Sequence, residues 1–147
     1  MKLFFYYLLQ WTWGLPQNLL GLVVWLICKG ETQPRFHGAA IKRWRRTSGS
    51  AGIGMFLFLQ EGYDRELLLH EYGHSLQSII LGPLFLPVVG LPSLLWAELP
   101  VARRWRKRHN KSYYWLYSES WANRLGSLAA KKEALPCSKT ETKLSSK

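Results

Sequence analysis

The sequence is poor in two residue types that would have pointed elsewhere. It holds two cysteines, Cys28 and Cys137, in 147 residues, which make neither a disulfide framework nor a cysteine-based zinc site. Acidic residues are scarce as well, nine against twenty lysines and arginines, for a net charge of +11. There is no internal repeat and no phosphate-binding glycine loop. Such a charge suits nucleic acid or an anionic membrane surface. The basic residues flank long apolar runs, so the distribution favours a lipid bilayer as partner, and no nucleic acid is expected. Eight tryptophans and seven tyrosines fit membrane-interface belts and equally fit a protein core.

The chain is long enough for one domain with a modest core. From Leu3 to Cys28 it carries no charged residue, a run long enough to cross a hydrocarbon layer of about 30 Å. Residues 1–28 therefore read as a transmembrane anchor, retained because no small-residue cleavage site follows. Trp11, Trp13, Pro16, Gln17 and Asn18 interrupt the run, so the helix is expected to kink or to turn its middle toward protein. Lys29, Arg35, Lys42, Arg43, Arg45 and Arg46 follow it, against Lys2 alone before it. The positive-inside rule puts these cations, and the rest of the chain, in the cytoplasm.

The centre of the sequence is His70-Glu71-Tyr72-Gly73-His74. Histidines four apart on a helix project from one face, so both imidazoles can hold one Zn²⁺ and leave a position for water. Glu71 lies about 100° round the helix from His70, where a carboxylate can take a proton from zinc-bound water and pass it to a leaving amine. Asp64 is the expected N-cap, Arg65 to Leu81 the helix, and Gly82-Pro83 its stop. Leu68, Tyr72, Leu76, Ile79 and Ile80 form an apolar face, and His70, Glu71, His74, Ser75, Gln77 and Ser78 gather opposite. Leu67 and Leu81 break that separation, so the polar sector is expected to be enclosed. Gly73 costs helix stability, which implies something packed close against it.

Around this helix the segments are short. Thr47–Ser50 reads as a turn-like break. Ala51–Gln60 reads as a buried or edge strand, with Gly52 and Gly54 at close backbone approaches. It is either a substrate-holding edge beside the motif helix or a plain core strand. Residues 79–99 are apolar but broken by Pro83, Pro87, Gly90 and Pro92. A second basic stretch, Arg103 to Lys111, follows, and no later run is apolar enough to return. Residues 79–99 are thus expected to be re-entrant or interfacial, keeping both basic stretches on the cytoplasmic side. Ser112–Ala130 reads as a helix with Tyr114, Tyr117, Trp121, Leu125 and Leu128 near one face. Residues 131–147 have the composition of a disordered tail.

A hydrolytic zinc site usually takes a third protein ligand. His37 and His109 sit in arginine-rich surroundings, and Glu98 borders an apolar segment. Glu119 is preferred, because Asn123 falls one turn later on the same face and can support a liganding histidine. Taken together, His70-Glu71-x-x-His74 and Glu119 followed by Ala122-Asn123 resemble the gluzincins, in particular the small membrane-bound heat-shock metalloproteases and CAAX-prenyl proteases. The resemblance covers roughly residues 51–130 in layout, with Asn123 where those families carry aspartate. It implies a mainly α fold with a short β element, a minimal core of strand, HExxH helix and glutamate helix on the N-terminal transmembrane helix. It also implies a membrane-embedded zinc metalloendopeptidase acting on a peptide or protein substrate, with Glu71 assisting attack by zinc-bound water. Tyr113, Tyr114, Tyr117 and Arg124 are the possible donors to the oxyanion. Two other classes stay open: a catalytically weak zinc-binding regulatory protein of the membrane, and a basic membrane-surface adaptor without metal.

Overall fold

The computed structural model describes residues 3–44 and 49–134. The expected break at Thr47–Ser50 is therefore described only at Gly49 and Ser50, and most of the expected tail, from residue 135, lies outside the described residues. Among the described residues there are six α-helices and one four-stranded sheet, on which α2 and α3 pack. The mainly α class with a β element is as expected, but the sheet is larger than one short strand.

The apolar run expected as a single spanning helix is two helices, α1 (Leu3–Trp11) and α2 (Leu15–Ile27). At 1.5 Å per residue each is shorter than a bilayer core, and among the described residues no helix is long and apolar enough to cross a membrane. The break falls at Thr12–Gly14, where Pro16 starts the second helix in its favoured first turn. Polar residues hold this corner onto the protein. Gln10, Gln17 and Asn18 are all fully buried, so the middle of the run does face protein. Gln10 Nε2 donates to Ser75 Oγ (3.1 Å), Gln17 Nε2 to Ser78 Oγ (3.0 Å), and Asn18 Oδ1 accepts from the Met55 N–H (2.7 Å).

The basic stretch after the run contains a hairpin that charge counting hid. Strands β1 (Gly30–Phe36) and β2 (Ala39–Trp44) pair antiparallel across His37-Gly38, both at positive φ (47° and 93°), the backbone a two-residue hairpin turn requires. Pro34 sits in β1, the edge strand, where a missing N–H is tolerated. Lys42, counted above as a topology signal, donates to the carbonyls of Trp25 (2.6 Å) and Cys28 (2.9 Å). It thereby caps the C-terminus of α2, where a cation is favoured.

The expected strand 51–60 is two strands, β3 (Ala51–Ile53) and β4 (Phe56–Leu59), folded back at Gly54-Met55. The sheet order is β1-β2-β4-β3, with β2 and β4 parallel. β4 is buried along its whole length and forms the core with Ile41, Tyr72 and Tyr6. β3 is the other edge and packs against the motif helix. The core-strand reading holds for β4, and β3 is an edge strand beside the motif helix.

Helix α3 (Arg65–Leu81) has the expected bounds. The Asp64 side chain accepts from the Leu67 N–H (2.8 Å), and Gly82 at φ 54° ends the helix. Its polar sector is enclosed, as expected, while on the apolar side Tyr72 is buried and Leu68, Leu76 and Ile79 pack on the core. His70, Glu71, His74, Ser75, Gln77 and Ser78 are buried, whereas Ile80 is 55% exposed. Beyond Gly82, residues 79–99 run as a tight turn (Gly82–Leu84), a wide π-helical turn (Leu86–Gly90) and α4 (Leu91–Glu98). α5 (Pro100–Arg108) carries the second basic stretch.

The last helix, α6, runs Tyr117–Ala134, so residues 131–134 of the expected tail are helical and Tyr114 precedes the helix in the turn Tyr113–Trp115. Its buried face is Ser118, Glu119, Ala122 and Gly126, not the apolar stripe; Tyr117 is 53% and Leu128 62% exposed. The reason is the crossing with α3. A Cβ on Gly73 would lie 2.1 Å from the Ala122 carbonyl oxygen, and one on Gly126 2.2 Å from that of Leu69. Small residues let the two backbones touch, which is the close packing expected at Gly73.

Candidate metal centre

That contact brings the functional groups together. His70 and His74 face α6 from α3, and Glu119, at 0% exposure, faces back. Glu119 Oε2 lies 3.1 Å from His70 Nε2 and 3.6 Å from His74 Nε2. One ligand atom from each of the three residues falls within 4.8 Å of the others, the one such cluster among the described residues. Glu98 is elsewhere, paired with Arg103 on the surface (3.2 Å). His37 packs against Phe36 and Tyr72, and His109 stacks on Trp105.

The hydrogen bonds set which nitrogens face the cluster. His70 Nδ1 lies 2.7 Å from Asn123 Oδ1, the support expected for Asn123. His74 Nδ1 lies 2.8 Å from Gln77 Oε1. Gln77 Nε2 in turn donates to the Ser118 carbonyl (2.8 Å), which can only accept, so the amide must turn its oxygen to the imidazole. His74 therefore carries its proton on Nδ1 and offers Nε2, and Asn123 Oδ1, as an acceptor, calls for the same tautomer of His70. Gln77 was missed as a supporting residue. The signal was present, since i and i+3 share a helix face.

These groups fit a metal. Two neutral imidazole nitrogens and a carboxylate form a donor set of the kind zinc takes in hydrolytic sites. Neither Glu119 oxygen accepts a hydrogen bond although both are buried, a costly arrangement unless a cation answers the charge.

Glu71 lies next to the cluster, 4% exposed. Burial pushes its carboxyl above the ordinary value, partly offset by His74 and His70 and by a hydrogen bond from the Gly52 backbone on β3. A raised value favours proton uptake near neutrality. A Cβ on Gly52 would lie 2.5 Å from the Glu71 carbonyl oxygen, so this strand needs glycine to run against α3. Burial likewise raises the hydroxyls of Tyr113 and Tyr114, with the charges of Glu119 and Glu71 adding to it, so both stay protonated as donors. The Tyr114 ring lies 5.1 Å from that of His70. Tyr117 spends its hydroxyl on the Val88 carbonyl, and Arg124 is exposed.

No family model, no curated protein and no solved structure matches the chain.

Proposed function

We propose that this chain is a zinc-dependent metalloendopeptidase with a minimal gluzincin-like core, embedded in a membrane. The observation that carries the reading is the convergence of His70 Nε2, His74 Nε2 and a Glu119 oxygen, with the Glu71 carboxylate buried beside them. His70, His74 and Glu119 would hold the ion, which would supply Lewis acidity to a water and to a peptide carbonyl. The chain's own groups do the rest. Glu71 takes the proton of the attacking water and delivers it to the departing amine. Tyr113 or Tyr114 donates to the oxyanion that develops on the carbonyl. Asn123 and Gln77 keep both Nε2 atoms aimed inward.

The membrane half of the proposal is supported by where polar and apolar atoms lie. Gln10, Gln17, Asn18, Ser75, Gln77 and Ser78 are buried, while Phe4, Leu26, Ile27 and Val101 are each about 70% exposed. Polar groups facing a protein interior and apolar groups facing out is the arrangement a lipid environment favours. The basic stretches at Arg43 and Arg106 would then lie at the cytoplasmic surface.

Metal analysis of the purified chain, followed by a peptidase assay on wild type and Glu71→Gln, tests the reading. About one zinc per chain in both, with hydrolysis in wild type only, is expected. Zinc without hydrolysis in either would make the chain a metal-binding regulatory protein, and absence of zinc would leave a membrane-surface adaptor.

A further inference from the structure

A second polar feature lies outside the metal centre, on α5 and the turn after it. Arg103, Arg106, Lys107, Asn110 and Lys111 line a cavity of about 350 Å³. No carboxylate among the described residues pairs with Arg106, Lys107 or Lys111, Glu98 being engaged by Arg103. The Arg106 guanidinium lies 5.0 Å from the Trp96 ring centre and 5.2 Å from that of Tyr113, and its Nη1 is buried without a hydrogen-bond partner. Desolvating a guanidinium without an acceptor is costly. Beside these cations, Trp96, Trp105 and Trp115 are in mutual ring contact at 5.4–6.2 Å, with Lys111 Nζ 5.3 Å from the Trp115 ring centre. Trp105 and Trp115 are 37% and 53% exposed.

We propose that this cavity binds the phosphodiester headgroup of an anionic phospholipid. Arg106, Lys107 and Lys111 supply the counter-charge, and a phosphate oxygen supplies an acceptor to the Arg106 fork. A free anion would need only the cations. The exposed tryptophans favour a lipid, because indole rings settle where headgroups meet acyl chains. The Trp96 Nε1–H donates to the Tyr113 carbonyl (2.9 Å), so an occupied cavity also steadies the turn that presents Tyr113 and Tyr114 to the metal centre. The inference rests on the membrane half of the proposed function and not on the metal half.

The test is native mass spectrometry of the full chain in neutral detergent, with phosphatidylglycerol, phosphatidylcholine or inorganic phosphate added. One retained phosphatidylglycerol and no retained phosphatidylcholine are expected, with at least a tenfold weaker response in Arg106→Gln and none of that loss in Lys132→Gln. Should Arg106→Gln not fold by circular dichroism, Arg106→Lys, which keeps a cation over the rings, takes its place and should still lose several-fold. Equal retention of both lipids, full retention by the variant, or displacement of the lipid by millimolar phosphate would overturn the assignment. Zinc content of the same samples reports separately on the metal reading.

Discussion

Gly73→Ala is the sharpest test of how the fold builds the site. An added Cβ would stand 2.1 Å from the Ala122 carbonyl oxygen, with the Ala122 carbonyl carbon and Cα at 2.7 and 2.9 Å. All three are backbone atoms, so no side chain can swing aside. Restoring an ordinary contact of about 3.4 Å requires α3 and α6 to part by roughly 1.3 Å. Metal–ligand distances tolerate only about 0.2 Å, so Glu119 leaves the reach of His70 and His74. Helix propensity pulls the other way, alanine being better than glycine by about 1 kcal/mol, while overpacking costs about 1–3 kcal/mol. The net loss, up to about 2 kcal/mol, corresponds to a Tm lower by up to about 8 °C for a chain of this size. Zinc stoichiometry and thermal unfolding with and without zinc measure both effects. Gly90→Ala is the control, because its nearest neighbour would lie at an ordinary 3.6 Å. A Gly73→Ala protein that keeps full zinc and melts no lower than wild type would refute the helix-contact argument.

Glu119→Ala should lose zinc and activity together, whereas Glu98→Ala, on the surface with Arg103, should keep both; metal analysis of the pair decides between them. Gln77→Ala frees His74 Nδ1 and should weaken zinc binding about 10–100-fold, read by competition with a chelating dye; an unchanged affinity would remove Gln77 from the site. Cysteine labelling at positions 43 and 106 in intact cells should find both shielded from an impermeant reagent; labelling at 106 alone would place the two basic stretches on opposite sides.

What the sequence made legible is local. The Asp64 cap, the Gly82 stop, the close approach at Gly73 and the Asn123 support all follow from a residue and its helical spacing. The hairpin 30–44 did not, because Arg35, Lys42 and Arg43 read as topology signals and concealed the turn at His37-Gly38. In the run 3–28 the interruption at Pro16, Gln17 and Asn18 was legible but the division into two short helices was not, because hydropathy does not show that Gln10 and Gln17 tie the bend to α3 and Asn18 ties it to Met55. On α6 the apolar stripe pointed away from the contact. A helix buries what fits its neighbour, and against Gly73 it is the backbone of Ala122, itself fully buried, that makes the contact.

The amides behind the two histidines also fix the electrical balance of the centre. Glu119 and Glu71 are the carboxylates at the cluster, and together they match a divalent cation charge for charge. Gln77 and Asn123 orient the imidazoles without adding to that count. A buried assembly of zero net charge avoids most of the desolvation penalty that an unbalanced ion would face. Aspartate at position 123 would bind a liganding histidine more strongly but leave a surplus negative charge under the sheet edge and the tyrosines. On the proposed function, the asparagine would trade some grip on the metal for a pocket that stays neutral once filled, and that could admit a peptide carbonyl without first expelling counter-ions.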